Sequence, residues 1–527
     1  MSMSQHSLRE ALRQASDALS QADAAHLAAM SKIDNTYAQR GVSDNQLKQM
    51  KQRLLDAARN NLIIARGAAL QTTHPAALPG LPTGRVGNND TAFREAETSL
   101  AASWRCLGEF ETLRGAKSAS IAAYRKVAQF APDDLIAHAQ LAALLESTHN
   151  LEEARTHADV ALRIDPTHFA AALALARTLL RQEKFAEAER AALAATQSPR
   201  TDADDQALAW SLVGEARDRL NQPSNAFKAF TRANQIMLRQ YGAMQQHTHP
   251  AHPANVSSLT RFVELMRPTR AIESATPPPV FLIGFPRSGT TLIEQVLSAH
   301  SQTFCLGETD HLFEAMSVVL RDGDLFARVI NVTPAEIETV RKAYRQVVLR
   351  DHPEADGRII VDKHPLHIVL LPLINTFFPD AKIIFTQRDP RDTALSCYQQ
   401  CFGINVATAQ FLDLAHTAEY FDTVMTLMIA CREHLTLDLH QVNYQDAVRD
   451  LESETRQMAA FLGVDFEPAM LRYDAHARTR SISSASARQV INPIYDRSIN
   501  RWRRYTRDLA PVLPLLNKWA RRLGYEE

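Results

Sequence analysis

A short apolar run followed by a loop with two glycines constrains this chain more than any other stretch. Residues 280–283 read Val-Phe-Leu-Ile, as in a strand that is buried on both faces of a parallel sheet. The loop Gly-Phe-Pro-Arg-Ser-Gly follows at residues 284–289, and then come apolar residues with helical spacing. In such a unit, backbone N–H groups and the positive end of the helix dipole point at one spot. The stretch therefore predicts an anion-binding site.

The spacing from Gly284 to Gly289 is close to that of a P-loop, but the residue types differ. Thr290 occupies the lysine position, and Arg287 places a cation inside the loop. Without the P-loop lysine, hydrolysis of ATP or GTP is not expected, and a site for a single terminal phosphate fits better. An ordinary tight turn between strand and helix is the structural alternative. The candidate anion-binding residues are Arg287, Ser288, Gly289, Thr290 and Thr291.

Further strand candidates alternate with helical segments after this loop. They are residues 358–361, 382–386 and 438–442. Such alternation predicts a parallel sheet with right-handed crossovers, which binds ligands at the carboxyl ends of its strands. Arg388 follows one of these strands, and Ser396 lies in the helix after it. An arginine fork and a hydroxyl suit a phosphate that is bound without being transferred, so the ligand is predicted to carry phosphates at both ends of a nucleoside.

The N-terminal half is helical and repetitive in pattern. Residues 1–90 are predicted to form a helical region and a linker, and residues 246–278, rich in proline, a second linker. Within residues 91–245, related residues recur 34 positions apart, for example Pro132 and Pro166. This stretch resembles the tetratricopeptide (TPR) family. The resemblance implies an all-α solenoid that binds peptides or other subunits. An array that only shields its neighbour or forms a dimer is the alternative.

The overall composition excludes several classes of partner. The chain has 58 Lys and Arg against 59 Asp and Glu, so no net field favours nucleic acid or an anionic membrane. Five scattered cysteines argue against a disulfide framework and indicate a reducing, cytoplasmic location. The longest apolar stretch, residues 368–378, is too short to span a bilayer. We therefore expect no membrane insertion.

Two motifs together resemble the sulfotransferase family, whose donor is 3′-phosphoadenosine 5′-phosphosulfate (PAPS). Residues 286–292, Pro-Arg-Ser-Gly-Thr-Thr-Leu, resemble the family's 5′-phosphosulfate loop. Arg388 and Ser396 resemble its 3′-phosphate site. The resemblance implies a P-loop-like α/β sulfotransferase domain over residues 279–527, with PAPS as donor and 3′-phosphoadenosine 5′-phosphate as product.

Shorter segments resemble the tyrosylprotein sulfotransferases. Residues 306–309, Leu-Gly-Glu-Thr, resemble the segment that carries the family's general base, which assigns this role to Glu308. Residues 362–365, Asp-Lys-His-Pro, resemble the segment that carries the catalytic lysine, which assigns that role to Lys363. Three more residues receive roles in donor contact or catalysis from this resemblance: Tyr444, Ser486 and Arg501.

Departures from the family pattern concern two of these segments. Arg501 stands where the family has lysine, and Gly307 stands where it has its first glutamate. A positioned base contributes about 10²–10⁴-fold to such a transfer, and Asp310 or His364 are alternatives to Glu308 for this role. Cations and hydroxyl groups stabilise the departing phosphate oxygen, so no metal ion is predicted.

The sequence thus predicts a multidomain protein, with an all-α TPR solenoid followed by an α/β sulfotransferase domain. We expect it to transfer a sulfuryl group from PAPS to a tyrosine of a protein or peptide that the array recruits, and a homodimer is a further expectation. The alternatives left open are a carbohydrate, lipid or small-metabolite acceptor, a non-catalytic TPR scaffold with a nucleotide-binding domain, and a P-loop kinase that uses ATP and Mg²⁺.

Overall fold

The computed structural model shows a helical N-terminal unit that ends at Gln222 and a C-terminal unit that is built on a parallel sheet. The structure describes residues 5–29, 44–73, 89–199, 201–242, 249–266, 276–320, 332–479 and 497–525. None of the helices in these ranges combines the length and the hydropathy that crossing a lipid bilayer requires.

Helices α1 to α9 make up the described part of the N-terminal unit. Their bounds are Gln5–Ala29, Asp44–Thr73, Asn89–Leu113, Lys117–Phe130, Leu135–Ser147, Leu151–Ile164, Phe169–Arg181, Phe185–Thr196 and Ala203–Arg219. Helices α5 and α7 begin 34 residues apart, and so do α6 and α8. Buried alanines recur at the same interval in α6 and α8: Ala154, Ala158 and Ala161, then Ala188, Ala192 and Ala195. Small side chains allow close helix packing, but membership of the tetratricopeptide family stays a prediction.

The C-terminal unit alternates strands with helices, as the sequence predicted. The strands β1 to β5 are Val280–Gly284, Thr303–Cys305, Ile359–Lys363, Lys382–Gln387 and Asp438–Asn443. Its helices α10 to α22 are Pro223–Tyr241, Pro253–Leu265, Thr290–Ser298, His311–Ser317, Pro334–Asp351, Leu371–Phe377, Pro390–Gln399, Leu414–His434, Tyr444–Arg449, Leu451–Leu462, Tyr473–Thr479, Thr506–Leu509 and Leu513–Arg522. Short 3₁₀ helices include Arg501–Tyr505.

The five strands form one sheet in the order β2-β3-β1-β4-β5, and all neighbouring pairs are parallel. The parallel sheet predicted from the sequence is therefore confirmed. Strand β1 lies at the centre and is buried along its whole length. Strand β2 has three residues, too few to show a pattern, and the sequence did not predict it.

Apolar side chains cover both faces of the sheet, which explains why β1 is an unbroken apolar run. Phe281 and Ile283 pack into one core, which α14, α15 and α17 complete. Val280 and Leu282 point to the opposite face and pack into a second core with α12 and α19. Successive residues of a strand point to opposite faces, so both sets must be apolar.

The segment predicted as a linker, residues 246–278, contains helix α11. Its residues Val256 and Val263 are buried in the core that also holds Phe281. Pro253 is the first residue of α11, where a missing N–H is tolerated because it has no intrahelical partner. Prolines thus mark the start of a helix here. The compact C-terminal unit already begins at Pro223.

Candidate active site

The carboxyl ends of all five strands lie at one edge of the sheet because the strands are parallel. Each strand leads to a residue that the sequence placed in the site. In chain order, these residues are Arg287 after β1, Glu308 after β2, Lys363 at the end of β3, Arg388 after β4 and Tyr444 after β5. The parallel topology therefore brings together at one edge residues that lie far apart in the sequence.

The loop after β1 adopts the left-handed conformation at two positions. Arg287 has a φ of 69° and Gly289 a φ of 110°. A Cβ atom at Gly289 would lie 2.6 Å from the ring of Tyr444, so the loop and this ring are in direct contact. A left-handed arginine is uncommon and is typical of functional loops.

Two hydroxyl groups connect this loop to the neighbouring strand, and two threonines begin the helix that follows it. The Ser288 and Thr386 hydroxyls are 2.7 Å apart and share a hydrogen bond, which ties the loop to β4. Thr290 and Thr291 form the first residues of α12 and are buried. The predicted order of strand, loop and helix is therefore present, and α12 begins directly after the loop.

Two arginines, two serines and a tyrosine form a connected cluster at this edge. Arg287 Nε donates to Ser396 Oγ at 3.0 Å. Arg388 Nη1 donates to the carbonyl of Arg287 at 3.0 Å, and its Nη2 donates to the carbonyl of Ser498 at 2.6 Å. The guanidinium carbon of Arg388 lies 5.1 Å from the ring centre of Tyr444, whose hydroxyl is 2.7 Å from Ser498 Oγ. The two motifs that the sequence singled out are thus in direct contact.

Lys363 lies between two carboxylates. Its Nζ donates to Glu308 Oε1 at 2.6 Å and lies 3.2 Å from Glu294 Oε2. The side chains of Lys363 and Glu294 are 1% and 7% exposed, whereas that of Glu308 is 33% exposed. Burial by itself lowers the pKa of Lys363, but the carboxylates of Glu294 and Glu308 outweigh it, so the pKa is raised. Lys363 is therefore a buried cation, and Glu308 is open to solvent.

A buried polar group lies behind Lys363 on the other face of β3. The Tyr344 hydroxyl donates to Asp362 at 2.8 Å, and burial raises the pKa of Asp362 to about 7. His367 Nδ1 is 3.4 Å from the same carboxylate, and its ring stacks on that of His364. Burial lowers the pKa of both histidines. Within the described ranges, no group of three or more His, Cys, Asp or Glu residues is arranged to hold a metal ion.

The two C-terminal residues from the sequence prediction have different outcomes. Ser486 lies outside the described residues. Arg501 opens the short helix Arg501–Tyr505, and its guanidinium carbon lies 6.0 Å from the ring centre of Tyr505. The backbone N–H of the next residue, Trp502, donates to Asp392 in α16 at 2.8 Å. The role of Arg501 in donor binding stays a prediction.

Sequence reasoning missed Glu294 and Ser498. Glu294 stands in a run of apolar residues in α12, and a carboxylate in such a place needs a cation nearby, so this signal was available. Ser498 binds Arg388 through its backbone carbonyl, a contact that any residue type can make. No sequence signal identifies it.

The described strand ends lie within a recognised family domain. Residues 278–468 match the model of the sulfotransferase family. The chain therefore carries a sulfotransferase domain. The match includes β1 to β5 and with them Arg287, Glu308, Lys363, Arg388 and Tyr444.

Relatives match this chain over about half its length. An uncharacterized protein of Aquifex aeolicus is 29% identical over 252 residues, which cover 46% of this chain and 33% of that protein. Protein-tyrosine sulfotransferase 1 of Danio rerio is 26% identical over 268 residues, which cover 47% of this chain and 72% of that protein. The chain thus spans a third of the Aquifex protein and is homologous, at low identity, to protein-tyrosine sulfotransferases. Among solved structures, the sulfotransferase domain of the Synechococcus PCC 7002 olefin synthase is 22% identical, with a TM-score of 0.36 over 50% of this chain and 100% of that one.

Proposed function

We propose that this chain is a sulfotransferase that moves a sulfuryl group from PAPS to an acceptor hydroxyl. One observation carries the proposal. A single sheet edge holds both a hydrogen-bonded cluster of arginines and hydroxyls and a lysine–glutamate pair 2.6 Å apart. The cluster has the chemistry of a phosphate site, and the pair has that of proton transfer beside a fixed positive charge.

The fit of a nucleotide phosphate is supported by an unused hydrogen-bond donor. Arg388 Nε is buried and has no hydrogen-bond partner among the described residues, although Nη1 and Nη2 of the same guanidinium do. A phosphate oxygen suits such a donor. We assign Arg388, Ser396 and Tyr444 to the 3′-phosphate of the donor, and Arg287 with the loop after β1 to its 5′ end. When bound, PAPS supplies an activated sulfuryl group.

The lysine–glutamate pair would prepare the acceptor. Lys363 holds Oε1 of Glu308 and so fixes the orientation of a carboxylate that stays 33% exposed to solvent. In this proposal Glu308 takes the proton from the acceptor hydroxyl. The buried charge of Lys363 stabilises negative charge that develops nearby, because the low dielectric of the site strengthens the interaction. Glu294 keeps Lys363 in place.

For the acceptor, we propose a tyrosine in a protein or peptide. The support is the homology to protein-tyrosine sulfotransferases and the helical unit that precedes the sulfotransferase domain. The 34-residue spacing of its helix starts supports an array that recruits the acceptor or forms a homodimer. All five cysteines are free, which supports a cytoplasmic location.

The donor is tested by calorimetric titration of the full chain with 3′-phosphoadenosine 5′-phosphate (PAP), AMP and ATP in EDTA. We expect PAP to bind at least about 100-fold more tightly than AMP, because AMP lacks the 3′-phosphate that Arg388 would bind. Equal affinities for PAP and AMP would refute the assignment of the donor. Loss of PAP binding in EDTA would refute the metal-free site.

The base is tested by transfer of labelled sulfate from PAPS to tyrosine peptides, with glycans as the competing acceptor class. Glu308→Gln is expected to lower kcat by about 10²–10⁴-fold and to leave the Kd of PAP unchanged. Asp310→Asn, two residues away, is the matched control and should keep most of the activity. If Asp310→Asn loses the activity and Glu308→Gln keeps it, Asp310 is the base instead. Transfer to glycans alone would replace the proposed tyrosine acceptor.

A further inference from the structure

Helix α10 packs on the helix that carries Ser396, although the sequence assigned α10 to the repeats. Asn234 Nδ2 donates a hydrogen bond to the backbone carbonyl of Tyr398, 2.8 Å away, and both residues are buried. The Tyr398 hydroxyl donates to Thr231 Oγ1 at 3.0 Å. The rings of Phe227 and Tyr398 stack, with their centroids 5.2 Å apart and their planes inclined by 24°. Polar and apolar contacts thus join the two helices.

The hydrogen bond from Asn234 caps the carboxyl end of α16. Tyr398 belongs to the last turn of this helix, where carbonyl groups have no partner within the helix. A buried carbonyl without a partner is costly, so the amide of Asn234 fixes the position of this turn. Ser396 belongs to the same turn. Its hydroxyl is therefore fixed together with the end of the helix.

Two further contacts connect α16 to the rest of the site. Near its start, the carboxylate of Asp392 accepts hydrogen bonds from the backbone N–H groups of Asn500 and Trp502, each at 2.8 Å. In its last turn, Cys397 Sγ donates to the carbonyl of Pro286, 3.2 Å away, in the loop after β1. The start and the loop side of α16 are thus held by their own contacts, and the bond from Asn234 adds the contact that fixes the turn with Ser396.

We propose that Asn234 is a positioning residue for the 3′-phosphate of the donor, acting through the last turn of α16 on Ser396. The proposal rests on the function proposed above, since it concerns the affinity of the same nucleotide site. It makes α10, a helix with the sequence pattern of the preceding repeats, a structural part of the donor site. Nucleotide affinity then depends on a helix that begins where the N-terminal unit ends.

The test compares the affinities of PAP and AMP in the full chain. Asn234→Leu removes the amide donor and keeps the same branched arrangement of four side-chain heavy atoms. We expect the Kd of PAP to rise about tenfold and that of AMP to change by less than about twofold, because AMP has no 3′-phosphate to sense Ser396. Phe227→Leu weakens the ring stack but keeps the hydrogen bond. It should raise the ratio of the Kd of PAP to the Kd of AMP by about threefold. This variant keeps the proposal testable if Asn234→Leu does not fold.

The matched control is Thr455→Val in α19. Thr455 is also buried, and its hydroxyl donates to the carbonyl of Leu451 in the same helix at 2.6 Å. This variant should lose stability and keep the ratio of the two affinities. If Asn234→Leu and Phe227→Leu lower the melting temperature but leave the ratio unchanged, the role is merely structural and the proposal is wrong. If the wild type itself does not prefer PAP, the proposed donor has failed instead.

A second measurement needs no variant. If Asn234 couples α10 to the 3′-phosphate, the coupling is reciprocal, and the bound nucleotide stabilises the helix in turn. Hydrogen–deuterium exchange of the amides in α10 should slow when saturating PAP is added, and should slow much less with saturating AMP. Equal protection of α10 by the two nucleotides would overturn the proposal.

Discussion

Two ion pairs, one in each unit of the molecule, differ in how far their charges are buried. In the helical unit, Arg155 pairs with Glu187 at 3.0 Å, and these side chains remain 30% and 41% exposed. In the sheet unit, Lys363 is 1% exposed and its partner Glu294 is 7% exposed. A pair on the surface contributes about 0–1 kcal/mol, whereas burial of an ion costs several kcal/mol before any pairing.

The comparison of the two pairs indicates which charged side chains have a role in ligand binding. The half-exposed pair in the helical unit connects α6 with α8 at little cost. The buried Lys363–Glu294 pair of the sheet unit is costly, and Lys363 stands at a strand end, where the topology also gathers other polar groups. Charge that is buried at such a place indicates function rather than stability.

The largest effect is expected from removing the charge of Lys363. Lys363→Met leaves Glu294 buried without its cation, so we expect the free energy of unfolding to fall by about 3–5 kcal/mol in urea denaturation at pH 8. The double variant Lys363→Met with Glu294→Gln also removes the buried negative charge and should recover most of this loss. A double variant as unstable as the single one would show that the buried pair is not the cause.

A second prediction concerns Arg388. Arg388→Ala is expected to raise the Kd of PAP about 100-fold and to leave the Kd of AMP nearly unchanged, because a guanidinium makes strong, charge-assisted hydrogen bonds to phosphate. The Kd of PAP for Arg388→Lys should lie between those of the wild type and Arg388→Ala, since an ammonium lacks the planar fork of a guanidinium. Calorimetry of the variants measures both constants. A uniform weakening of PAP and AMP would place Arg388 away from the 3′-phosphate.

A third prediction uses the pH dependence of stability. Burial raises the pKa of Asp362 to about 7, from an unfolded value near 3.8. Between these values the folded state binds more protons than the unfolded state. The free energy of unfolding should therefore fall as pH rises from about 4 to 7, by up to about 1.4 kcal/mol per unit. Asp362→Asn removes this term, so its stability relative to wild type should increase with pH in that window.

The control for this titration is Asp351, whose pKa is lowered to about 2, first of all by its hydrogen bond from Arg350. A carboxylate with a lowered pKa contributes a constant stability above its unfolded pKa and loses it only in acid. From pH 7 to 8, where the neighbouring His311 stays neutral because its pKa is lowered from 6.5, Asp351→Asn should therefore shift the stability curve without changing its slope. A parallel shift for Asp362→Asn as well would refute the assigned pKa.

The smallest effect is expected in the helical unit. Arg155→Gln removes the ion pair with Glu187 at a half-exposed position and should lower the free energy of unfolding by less than about 1 kcal/mol. The Kd of PAP should not change. A loss of more than about 2 kcal/mol would break the contrast between the two units, because an exposed pair would then matter as much as a buried one.

Sequence reasoning located four of the five strands to within about two residues, because each is an apolar run with polar residues after it. The parallel topology then brought Arg287, Lys363 and Arg388 to one edge without further information. Helix α11 was hidden inside a predicted linker because Pro253 is compatible with the first turn of a helix.

The sequence by itself therefore determined the sheet, the loop after β1 and the residue types at the strand ends, since these depend on local apolar runs and backbone requirements. Only the tertiary structure decided that Glu294 pairs with Lys363 and that Asn234 holds the end of α16. An amphipathic pattern reveals that one face of a helix is buried but not which surface covers it. The partner of a buried polar group is set by packing between segments that lie far apart in the chain.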